Sequence, residues 1–507
     1  MRLAVGVSAV VVLLSLRGMT AAVTVTPPTI LKGPYLQNVT PSGIRVRWET
    51  DTGSDSRVDY GPTASYGSSV EGDYSTLLST GTYLHDVPLT GLTADTNYHY
   101  MVTTGATTSS DHIFSTAVAP GSSFFRFVAY GDSRGEPPAF DTTVQQEIAE
   151  GVLASHPLFS IHSGDAVHDG DKYPQWGPQF FTPSQELFWN VPFFFALGNH
   201  EYSLLLGVPT WAVKFMYFPS GPSETWYSFD YGNAHFVVLD SNTDFSPGSA
   251  QYEWIENDLA SATGTWLFAS FHHPPYTSHV SEHVPELQDY VVPLFERYGV
   301  DMVITGHVHW YERSVRNGIQ YVIAGGGGAP LNTDQELPNP YQVFWQSTYH
   351  YCTIDVSAQQ LLFKARYADG TPFDEVYVGH APLLRLSADP DIAFWGNQVV
   401  VNAHVDPIPY NYDAWAVVIL PNGQMKTMVP GKGLRPGAFR IVKNSPGIAS
   451  PLDVTLLSTT VPPGVRTGTY TVAVGLLPHD TSPISLADAS LKAFPGCFQQ
   501  VPLTVNQ

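Results

Sequence analysis

The chain has 507 residues, more than one hydrophobic core usually organises, so we expect about three domains of roughly 150 residues each. Its 23 basic and 45 acidic residues give a formal net charge of −22, which argues against nucleic acid or an anionic membrane surface as the partner. An anionic substrate would therefore need positive charge supplied locally at its site. Charged residues make up only 13% of a chain with 43 Gly and 41 Pro, a composition that favours strands and turns over long helices.

Residues 1–22 have the layout of a secretory signal peptide. A short basic start precedes an apolar stretch from Leu3 to Leu16, and small residues follow at Ala21 and Ala22. The stretch is too short to span a bilayer comfortably, although a retained membrane anchor is the alternative. We therefore expect a protein without a membrane span that is secreted, or that lies in a periplasmic or extracellular space.

Residues 28–117 carry the pattern of a small β-sandwich. Ile44, Val46 and Trp48 alternate with polar side chains, and turn residues separate such stretches at a spacing of about ten residues. The region resembles a fibronectin type III domain, with Tyr98 near the position of the tyrosine corner. Nothing in this region indicates catalysis.

Residues 122–378 differ from the preceding region because apolar runs alternate with segments of helical periodicity. The runs lie at Phe124–Tyr130, Leu158–Ile161, Phe193–Leu197, Phe236–Leu239, Trp266–Phe271 and Val300–Ile304. The candidate helices lie at Thr142–Ser155, at Ser249–Ser261 with Ser249 as the cap, and at Pro285–Tyr298, which ends at Gly299. Buried strands with intervening helices predict an α/β sandwich.

Residues 381–507 lose the helical periodicity again. The alternation over 399–403 and the apolar run that ends at a turn near 421–423 predict a second β-sandwich. The two cysteines, Cys352 and Cys497, are far apart in sequence, and an exported chain permits a disulfide between them without requiring one.

Five of the central runs are followed by polar residues of types that commonly bind metals. The residues that follow these runs are Asp132, Asp165, Asn199 with His200, His272 with His273, and His307 with His309. Carboxyl ends of strands in an α/β sheet lie along one edge, so we expect these side chains to converge. Two carboxylates, one carboxamide and at least three imidazoles form an oxygen and nitrogen set that suits borderline divalent or trivalent metals.

His307 and His309 are spaced for two metal ions. Residues i and i+2 of an extended segment point the same way, about 6–7 Å apart. Each side chain can then serve one of two ions held about 3.5–4 Å apart, and the carboxylate of Asp165 is the natural bridge. Taken singly, an Asp after Gly is commonly a turn residue and a lone His is commonly a surface or core residue. Five such endings in one region favour the metal site.

The motifs around these residues resemble those of a known family. In order, they are GDSR at 131–134, GDAVH at 164–168, GNHE at 198–201, HHPPY at 272–276 and GHVHWYER at 306–313. They resemble the motifs of the calcineurin-like metallophosphoesterases and, with the fibronectin-like region before them, those of the purple acid phosphatase branch. The resemblance covers about residues 28–378 and implies a central four-layer α/β/β/α sandwich. We therefore expect an α/β protein whose central metallophosphoesterase sandwich is flanked by N-terminal and C-terminal β-sandwiches.

By this resemblance the chain holds two metal ions, which would be iron, zinc or manganese. The first ion would be bound by Asp132, Asp165 and His309, and the second by Asp165, Asn199, His272 and His307. His200 would stand over the phosphate with a second histidine downstream of His272, for which His283 is preferred over His279.

Two positions depart from the family pattern. His168 stands where the family has the tyrosine that binds ferric iron. As a ligand, His168 would replace a phenolate by an imidazole and favour zinc, manganese or iron(II); the alternative is a solvent-facing loop residue. Arg134 replaces a glycine, and its guanidinium would either fork onto a phosphate or form an ion pair with Glu136 or Asp165.

The function implied by the resemblance is that of a secreted phosphatase. A metal-bound hydroxide would attack a phosphate monoester in line, with His200, His283 and Arg134 in catalytic roles. A phosphodiesterase or a nucleotide hydrolase on the same site is the alternative within the enzymes. The alternative of another class is a secreted binding or matrix protein with a structural metal module. The flanking β domains would either shape the cleft or attach the enzyme to a cell surface or polysaccharide.

The replacement of the tyrosine by His168 makes one optical prediction. We expect the protein loaded with iron to lack the purple colour of the family, because the phenolate that produces it is absent from that position. A visible absorption spectrum checks this, and a strong band from a phenolate bound to ferric iron would contradict it.

Overall fold

The structure is a computed structural model. It describes residues 26–506 apart from 54, 123, 204–206, 220–222, 224, 281–283, 359, 380–383, 390–391, 395, 406–411, 423, 430–432, 437–439, 446–451, 462, 464 and 479–497. The signal peptide predicted at 1–22 therefore lies outside the described residues and stays a prediction.

The first nine strands in the described part of the chain form two N-terminal sheets. Their strands are β1 (Ile30–Thr40), β2 (Gly43–Thr50), β3 (Ser56–Gly61), β4 (Ser68–Gly72), β5 (Ser75–Leu77), β6 (Tyr83–Thr90), β7 (Asn97–Thr104), β8 (Thr107–Thr108) and β9 (His112–Ser115). One sheet has the order β1-β2-β6-β5, and the other has the order β4-β3-β7-β8 with β9 also on β7. Trp48 and Tyr100 are fully buried in the core of this region. The amide of Thr93 donates to Tyr98 Oη over 3.0 Å, which is the hydrogen bond of a tyrosine corner.

The polar side chains of β2 are buried as well as its apolar ones. Arg47 and Glu49 are 5% and 0% exposed, because their side chains pack against the central region that follows in sequence. Arg47 donates to the carbonyls of Lys214 and Phe215 over 2.9 and 2.5 Å, and Tyr173 Oη donates to Glu49 over 2.6 Å. The N-terminal sheets are therefore docked on the region that follows them through hydrogen-bonded, buried charges.

Two sheets face each other in the middle of the chain. Their strands are β10 (Phe125–Tyr130), β11 (Phe159–His162), β12 (Phe193–Phe195), β13 (Tyr227–Tyr231), β14 (Ala234–Val238), β15 (Trp266–Ser270), β16 (Met302–Thr305), β17 (Tyr311–Arg316), β18 (Ile319–Ala324), β19 (Gln342–Gln346), β20 (Tyr351–Val356), β21 (Gln360–Arg366) and β22 (Pro372–Gly379). The first sheet has the order β12-β11-β10-β20-β21-β22, and the second has the order β13-β14-β15-β16-β18-β17-β19. In the first sheet β10, β11 and β12 are parallel, and in the second β14, β15, β16 and β18 are parallel.

The helices of the described residues all lie in this middle region. They are α1 (Thr143–Ala154), α2 (Tyr173–Trp176), α3 (Gln185–Asn190), α4 (Ala212–Phe215), α5 (Ala250–Ser261) and α6 (Val292–Tyr298), with π-helical turns at Gly177–Phe181 and Leu287–Val291 and a 3-10 turn at Asn199–Glu201. Ser249 caps α5, since its Oγ accepts from the amide of Tyr252 over 3.2 Å. In the part of the chain that the structure describes, no helix has the length and apolar character needed to cross a bilayer.

The helices cover the outer faces of the two central sheets. α1 packs on the first sheet through Ile148, and α5 packs on the second through Ile255. The inner faces meet through aromatic side chains, such as Phe127 of β10 and Phe236 of β14, whose ring centroids lie 5.2 Å apart edge to face. These four layers confirm the predicted α/β fold class with its α/β/β/α centre.

The C-terminal region returns to strands. They are β23 (Leu384–Asp389), β24 (Ile392–Phe394), β25 (Gln398–Val405), β26 (Tyr412–Ile419), β27 (Met425–Val429), β28 (Gly433–Pro436), β29 (Arg440–Ser445), β30 (Leu452–Thr460), β31 (Gly468–Pro478) and β32 (Phe498–Asn506). One sheet has the order β23-β25-β30, and the other has the order β24-β32-β31-β26-β27-β28 with β29 on β26. The alternation predicted over 399–403 is present, since Val399, Val401 and Ala403 are buried. The domain boundaries themselves stay predictions.

One of the two cysteines can be placed. Cys352 is fully buried on β20, where burial raises the pKa of its thiol well above the usual range. Cys497 lies outside the described residues, so the disulfide that the sequence permits stays open.

The glycine that ends α6 gives a stability prediction. Gly299 has φ of 74°, in the left-handed region, and no atom lies within 4 Å of the position of an added Cβ. We expect Gly299→Ala to lower the free energy of unfolding by about 1 kcal/mol through backbone strain alone. Urea unfolding followed by tryptophan fluorescence measures it.

Gly177 is the matched control for this substitution. It also has open space around its Cβ position, but its φ of −59° is helical. Gly177→Ala should leave stability unchanged or raise it by up to about 1 kcal/mol. Equal losses in both variants would show that the left-handed backbone of Gly299 is not the cause.

Candidate metal centre

Five strand ends bring the candidate ligands together. The first central sheet contributes the residues that follow β10, β11 and β12, and the second contributes those that follow β15 and β16. The side chains brought together are Asp132, Asp165, Asn199, His272, His307 and His309. They therefore meet where the carboxyl ends of parallel strands from two facing sheets adjoin, rather than along the edge of one sheet.

Three of these residues adopt the left-handed backbone that non-glycine residues usually avoid. Asp132 and Asp165 have φ of 57° and His307 has φ of 71°. Hydrogen bonds hold the strained segments to one another, because the amide of His307 donates to both carboxylate oxygens of Asp132 over 3.0 Å. The amide of Ser133 likewise donates to the carbonyl of Asp165 over 3.1 Å. Strain that neighbouring segments maintain in this way is typical of functional sites.

The glycines before His307 and Asn199 are required by the close approach of the loops. An added Cβ at Gly306 would lie 2.4 Å from Asp132 Oδ2, and one at Gly198 would lie 2.2 Å from Asp165 Oδ1. Both distances are far below van der Waals contact. The Gly-Asn and Gly-His pairs of the sequence thus have a steric reason here, because a side chain at Gly198 or Gly306 would push a carboxylate out of place.

The donor atoms form two clusters that share Asp165. Asp165, His272 and His307 form one cluster, and Asp132, Asp165 and His309 form the other, each with ligand atoms within 4.8 Å of one another. In the first of these, His272 Nε2 lies 3.3 Å from Asp165 Oδ1 and 3.0 Å from Asn199 Oδ1. In the second, His309 Nε2 lies 3.7 Å from Asp132 Oδ1. A carboxylate that belongs to both clusters can bridge two ions.

Backbone carbonyls fix which nitrogen of two histidines faces the clusters. His272 Nδ1 lies 2.8 Å from the carbonyl of Ser163, and His309 Nδ1 lies 2.7 Å from the carbonyl of Pro330. Each Nδ1 must carry a proton to donate there, so Nε2 is the nitrogen that faces the cluster in both residues. Such outer contacts orient metal-ligating histidines.

The electrostatics of the clusters favour a cation. Burial alone would lower the pKa of His272, but Asp165 and Asp132 outweigh burial and raise the pKa to about 9. Burial raises the pKa of Asp132 well above its usual value, whereas the positive charges of His272, His200 and Arg134 overcome burial and hold the pKa of Asp165 well below its usual value. The buried carboxylates thus impose a negative potential that a bound cation would neutralise.

The donor set fits metal ions on its own chemistry. Asn199 Oδ1 and His272 Nε2 lie only 3.0 Å apart, and His307 Nδ1 lies 3.0 and 3.1 Å from these two atoms. Spacings of about 3.0–3.4 Å are the edges expected between ligands held about 2.1 Å from one ion. Asp165, Asn199, His272 and His307 would hold one ion, and Asp132, Asp165 and His309 would hold the other.

The catalytic histidines of the sequence prediction differ in what the structure shows of them. His200 lies beside the clusters, with its amide 3.0 Å from Asp165 Oδ1 and its Nε2 3.8 Å from Asp165 Oδ2. His283 lies outside the described residues. The alternative, His279, lies 3.3 Å through Nε2 from the Asn332 amide nitrogen, and Asn332 in turn accepts from the amide of His309 over 2.8 Å.

Arg134 and His168, the two residues that depart from the family pattern, share Glu136 as a partner. Arg134 is buried and forms an ion pair with Glu136, and its Nε lies 3.4 Å from Asp165 Oδ2. His168 Nδ1 lies 3.0 Å from Glu136 Oε2, and its ring centroid lies 5.5 Å from that of His200. His168 is therefore close to the site but directed at a carboxylate outside the two clusters, and its role as a ligand stays a prediction.

One residue that organises the site had no role assigned from the sequence. Glu201 is fully buried and accepts from the amides of Asp165, Ala166 and Gly198 over 2.8, 2.8 and 2.7 Å. Burial, with a smaller contribution from the charge of Asp165, raises the pKa of Glu201 to about 7. Its place directly after Gly-Asn-His was the available signal, but only the folded chain shows that it fastens two ligand loops together.

Comparison with known proteins agrees with this arrangement. The Calcineurin-like phosphoesterase family matches residues 125–311, and the family described as Purple acid Phosphatase, N-terminal domain matches residues 34–116. A solved structure of the purple acid phosphatase PPD1 from yellow lupin (Lupinus luteus) seeds is similar to this chain with a TM-score of 0.61 and 23% identity, over 70% of this chain and 74% of that one.

Two curated plant relatives show similarity in sequence. Purple acid phosphatase 15 of Arabidopsis thaliana is 36% identical over 158 residues, which is 27% of this chain and 30% of that protein. A nucleotide pyrophosphatase/phosphodiesterase of Hordeum vulgare is 28% identical over 321 residues, which is 52% of this chain and 85% of that protein. The chain thus spans less than a third of the length of the first relative and most of the second.

The role of Glu201 gives a prediction for metal content and stability. Glu201→Gln keeps the shape but turns an amide NH2 towards backbone N–H groups, so one buried donor loses its acceptor. We expect a loss of about 1–3 kcal/mol in stability and a lower metal content, measured by urea unfolding and elemental analysis of the same sample. The exposed Glu186→Gln is the control. Wild-type metal content in Glu201→Gln would show that the ligand loops hold without this carboxylate.

Proposed function

Because the chain combines a calcineurin-like phosphoesterase domain with a purple acid phosphatase N-terminal domain, we propose that it is a metal-dependent phosphatase that hydrolyses phosphate monoesters. The observation that carries the proposal is the pair of donor clusters that share Asp165. A structural metal site usually closes around one ion with four protein ligands. Two adjoining clusters that share a carboxylate are instead the arrangement used to hold and activate a phosphoryl group.

Residues of the chain would position the ligands of the two clusters, and bound cations would supply the positive charge. Two bound cations would supply the positive charge that draws in a phosphate and would lower the pKa of bound water. Asp165 holds both clusters in one geometry, and the carbonyls of Ser163 and Pro330 hold the imidazoles of His272 and His309 in the ligating tautomer. In the proposed reaction water attacks phosphorus in line with the leaving oxygen, so that configuration at phosphorus is inverted.

His200 is the proposed source of the proton for the leaving group. Its Nδ1 lies 2.6 Å from the carbonyl of His168, so that nitrogen carries a proton and the ring is held in one orientation. Its Nε2 is directed towards Asp165 Oδ2 at the edge of the clusters, and the side chain is 23% exposed. Protonated at Nε2, His200 would donate to a phosphoryl oxygen and release that proton to the leaving alkoxide. His283 is proposed to share this role on the basis of the family motif.

Arg134 is the third proposed catalytic residue. Its guanidinium borders the shared carboxylate Asp165 and would provide positive charge for a dianionic monoester. This local charge matters because the chain as a whole carries −22. The preference for monoesters over diesters rests on this concentration of imidazoles and guanidinium around the phosphate position.

Hydrolysis of nucleotides or diesters is the second candidate activity. It is favoured by one specific observation, the similarity to the nucleotide pyrophosphatase/phosphodiesterase of Hordeum vulgare over 85% of that protein. A non-enzymatic binding protein with a structural metal module would instead show no turnover of any phosphate ester when both clusters are loaded. We place the activity outside the cytoplasm because of the leader-like residues 1–22.

A substrate panel with one ligand variant tests the proposal. Protein loaded with zinc, manganese or iron is assayed on an aryl phosphate monoester, a diaryl diester and a nucleoside triphosphate, with metal content measured on the same samples. We expect the monoester to give the highest kcat/KM. Asn199→Ala should reduce kcat/KM at least about a hundredfold, since even outer partners of metal ligands cost about 10- to 100-fold.

Asn257→Ala is the matched control for this loss. Asn257 is exposed on α5 and donates to the carbonyl of Glu253 within its own helix, so its removal should leave turnover unchanged. Highest turnover on the diester or the triphosphate would select the second candidate activity. Absence of turnover from fully loaded protein, or turnover that Asn199→Ala leaves intact, would contradict the metal-dependent phosphatase.

A further inference from the structure

We propose that Arg134 competes with a cation for the cluster of Asp132, Asp165 and His309, so that the two metal sites differ in affinity. This inference rests on the proposed function only in taking both clusters as cation sites. The clusters would then fill in order, first the one containing Asn199, His272 and His307 and afterwards the one containing His309.

The guanidinium of Arg134 faces the donor atoms of the His309 cluster. Arg134 is 5% exposed, its Nη2 lies 3.4 Å from His309 Nε2, and its Nε lies 3.4 Å from Asp165 Oδ2. His272 approaches the other oxygen of the same carboxylate, Asp165 Oδ1, at 3.3 Å. Arg134 is therefore on the His309 side of the shared carboxylate and leaves the other side to His272.

A cation and the guanidinium need the same lone pair. His309 Nδ1 donates its proton to the carbonyl of Pro330 over 2.7 Å, so Nε2 has a single lone pair to offer. That lone pair can accept an N–H of Arg134 or bind a metal ion, but it cannot do both. In addition, a guanidinium is charged at every relevant pH and repels a cation a few ångströms away.

Glu136 keeps the guanidinium where it is. It forms an ion pair with Arg134 through Oε1, and its Oε2 lies 3.0 Å from His168 Nδ1. The same carboxylate thus holds the competing guanidinium beside the His309 cluster. This weakens binding at the His309 cluster relative to the cluster that contains His272.

Displacement of Arg134 would also change what it can bind. When a cation takes His309 Nε2 and its share of Asp165, the N–H groups that face these atoms lose their acceptors. Freed in this way, the guanidinium can fork onto a phosphoryl oxygen, which matches its proposed catalytic role. Occupation of the weaker site would therefore prepare Arg134 for the substrate.

A zinc titration of metal-depleted protein tests the proposal by calorimetry, without reference to activity. We expect two steps in the wild-type protein, with the second at least about tenfold weaker than the first. Arg134→Met keeps an unbranched side chain but removes its charge and donors, so it should strengthen the second step about tenfold or more and leave the first unchanged. Arg134→Lys, which keeps the charge but loses the fork, should fall between the two.

Arg57→Ala is the matched control, because Arg57 lies on β3, far along the chain from the clusters, and pairs with Asp59 and Glu71. Its titration should equal that of the wild type. Two equal steps in the wild-type protein, or an unchanged ratio in both Arg134 variants with native circular dichroism, would overturn the proposal.

The outcome separates this inference from the proposed function. Suppose that the wild-type zinc steps are unequal, that Arg134→Met makes them equal, and that no phosphate ester is hydrolysed. This result would support competition by Arg134 and contradict the proposed phosphatase activity. Phosphatase activity with two equal steps would support the enzyme and remove the competition. Failure to bind zinc at all would overturn both.

Discussion

The position of the Asp165 carboxylate is the constraint on which the rest of the site depends. It is fully enclosed, it belongs to both donor clusters, and it lies between the imidazole of His272 on one side and the guanidinium of Arg134 on the other. A buried charge in this position is tolerated only where neighbouring charges and hydrogen bonds compensate for lost hydration. The left-handed backbone of Asp165, the three amides held by Glu201 and the absence of a side chain at Gly198 all serve to place this one group.

Much of the architecture follows from local patterns in the sequence. Each predicted apolar run of the central region contains or overlaps an observed strand, and the predicted helix at 249–261 has its cap at Ser249. These elements are predictable because their periodicity, length and end signals depend on nearby residues. The helix predicted at 285–298 is the partial exception, since its first part is a π-helical turn at Leu287–Val291 and only the rest is α-helical. Hydrogen-bond register within a helix depends on packing that a local pattern does not contain.

Some features of the candidate site could likewise be predicted from the sequence, and others could not. The types and order of the donor residues were visible in the sequence, because Gly-Asp, Gly-Asn-His and Gly-His-x-His follow apolar runs. Three features were not: that the donors come from two facing sheets, that Glu201 ties their loops together, and that Arg134 is directed at His309. Each depends on contacts between residues more than thirty positions apart or on the side-chain orientation chosen among several partners. Alternation along β2 correctly predicted a strand, but it could not show that the polar face of this strand is covered by the region that follows.

The docking of the N-terminal sheets has a consequence for how this protein can be divided. Arg47, Glu49 and Lys32 are buried charges whose partners lie partly across the boundary, on Tyr173 and on the carbonyls at the end of α4. A fragment that begins after residue 121 would leave those carbonyls and a hydroxyl open to water, together with the aromatic rings of Tyr173 and Phe215 over which the Lys32 ammonium lies. The central region produced alone would therefore expose polar and aromatic groups that the N-terminal sheets cover in the intact chain.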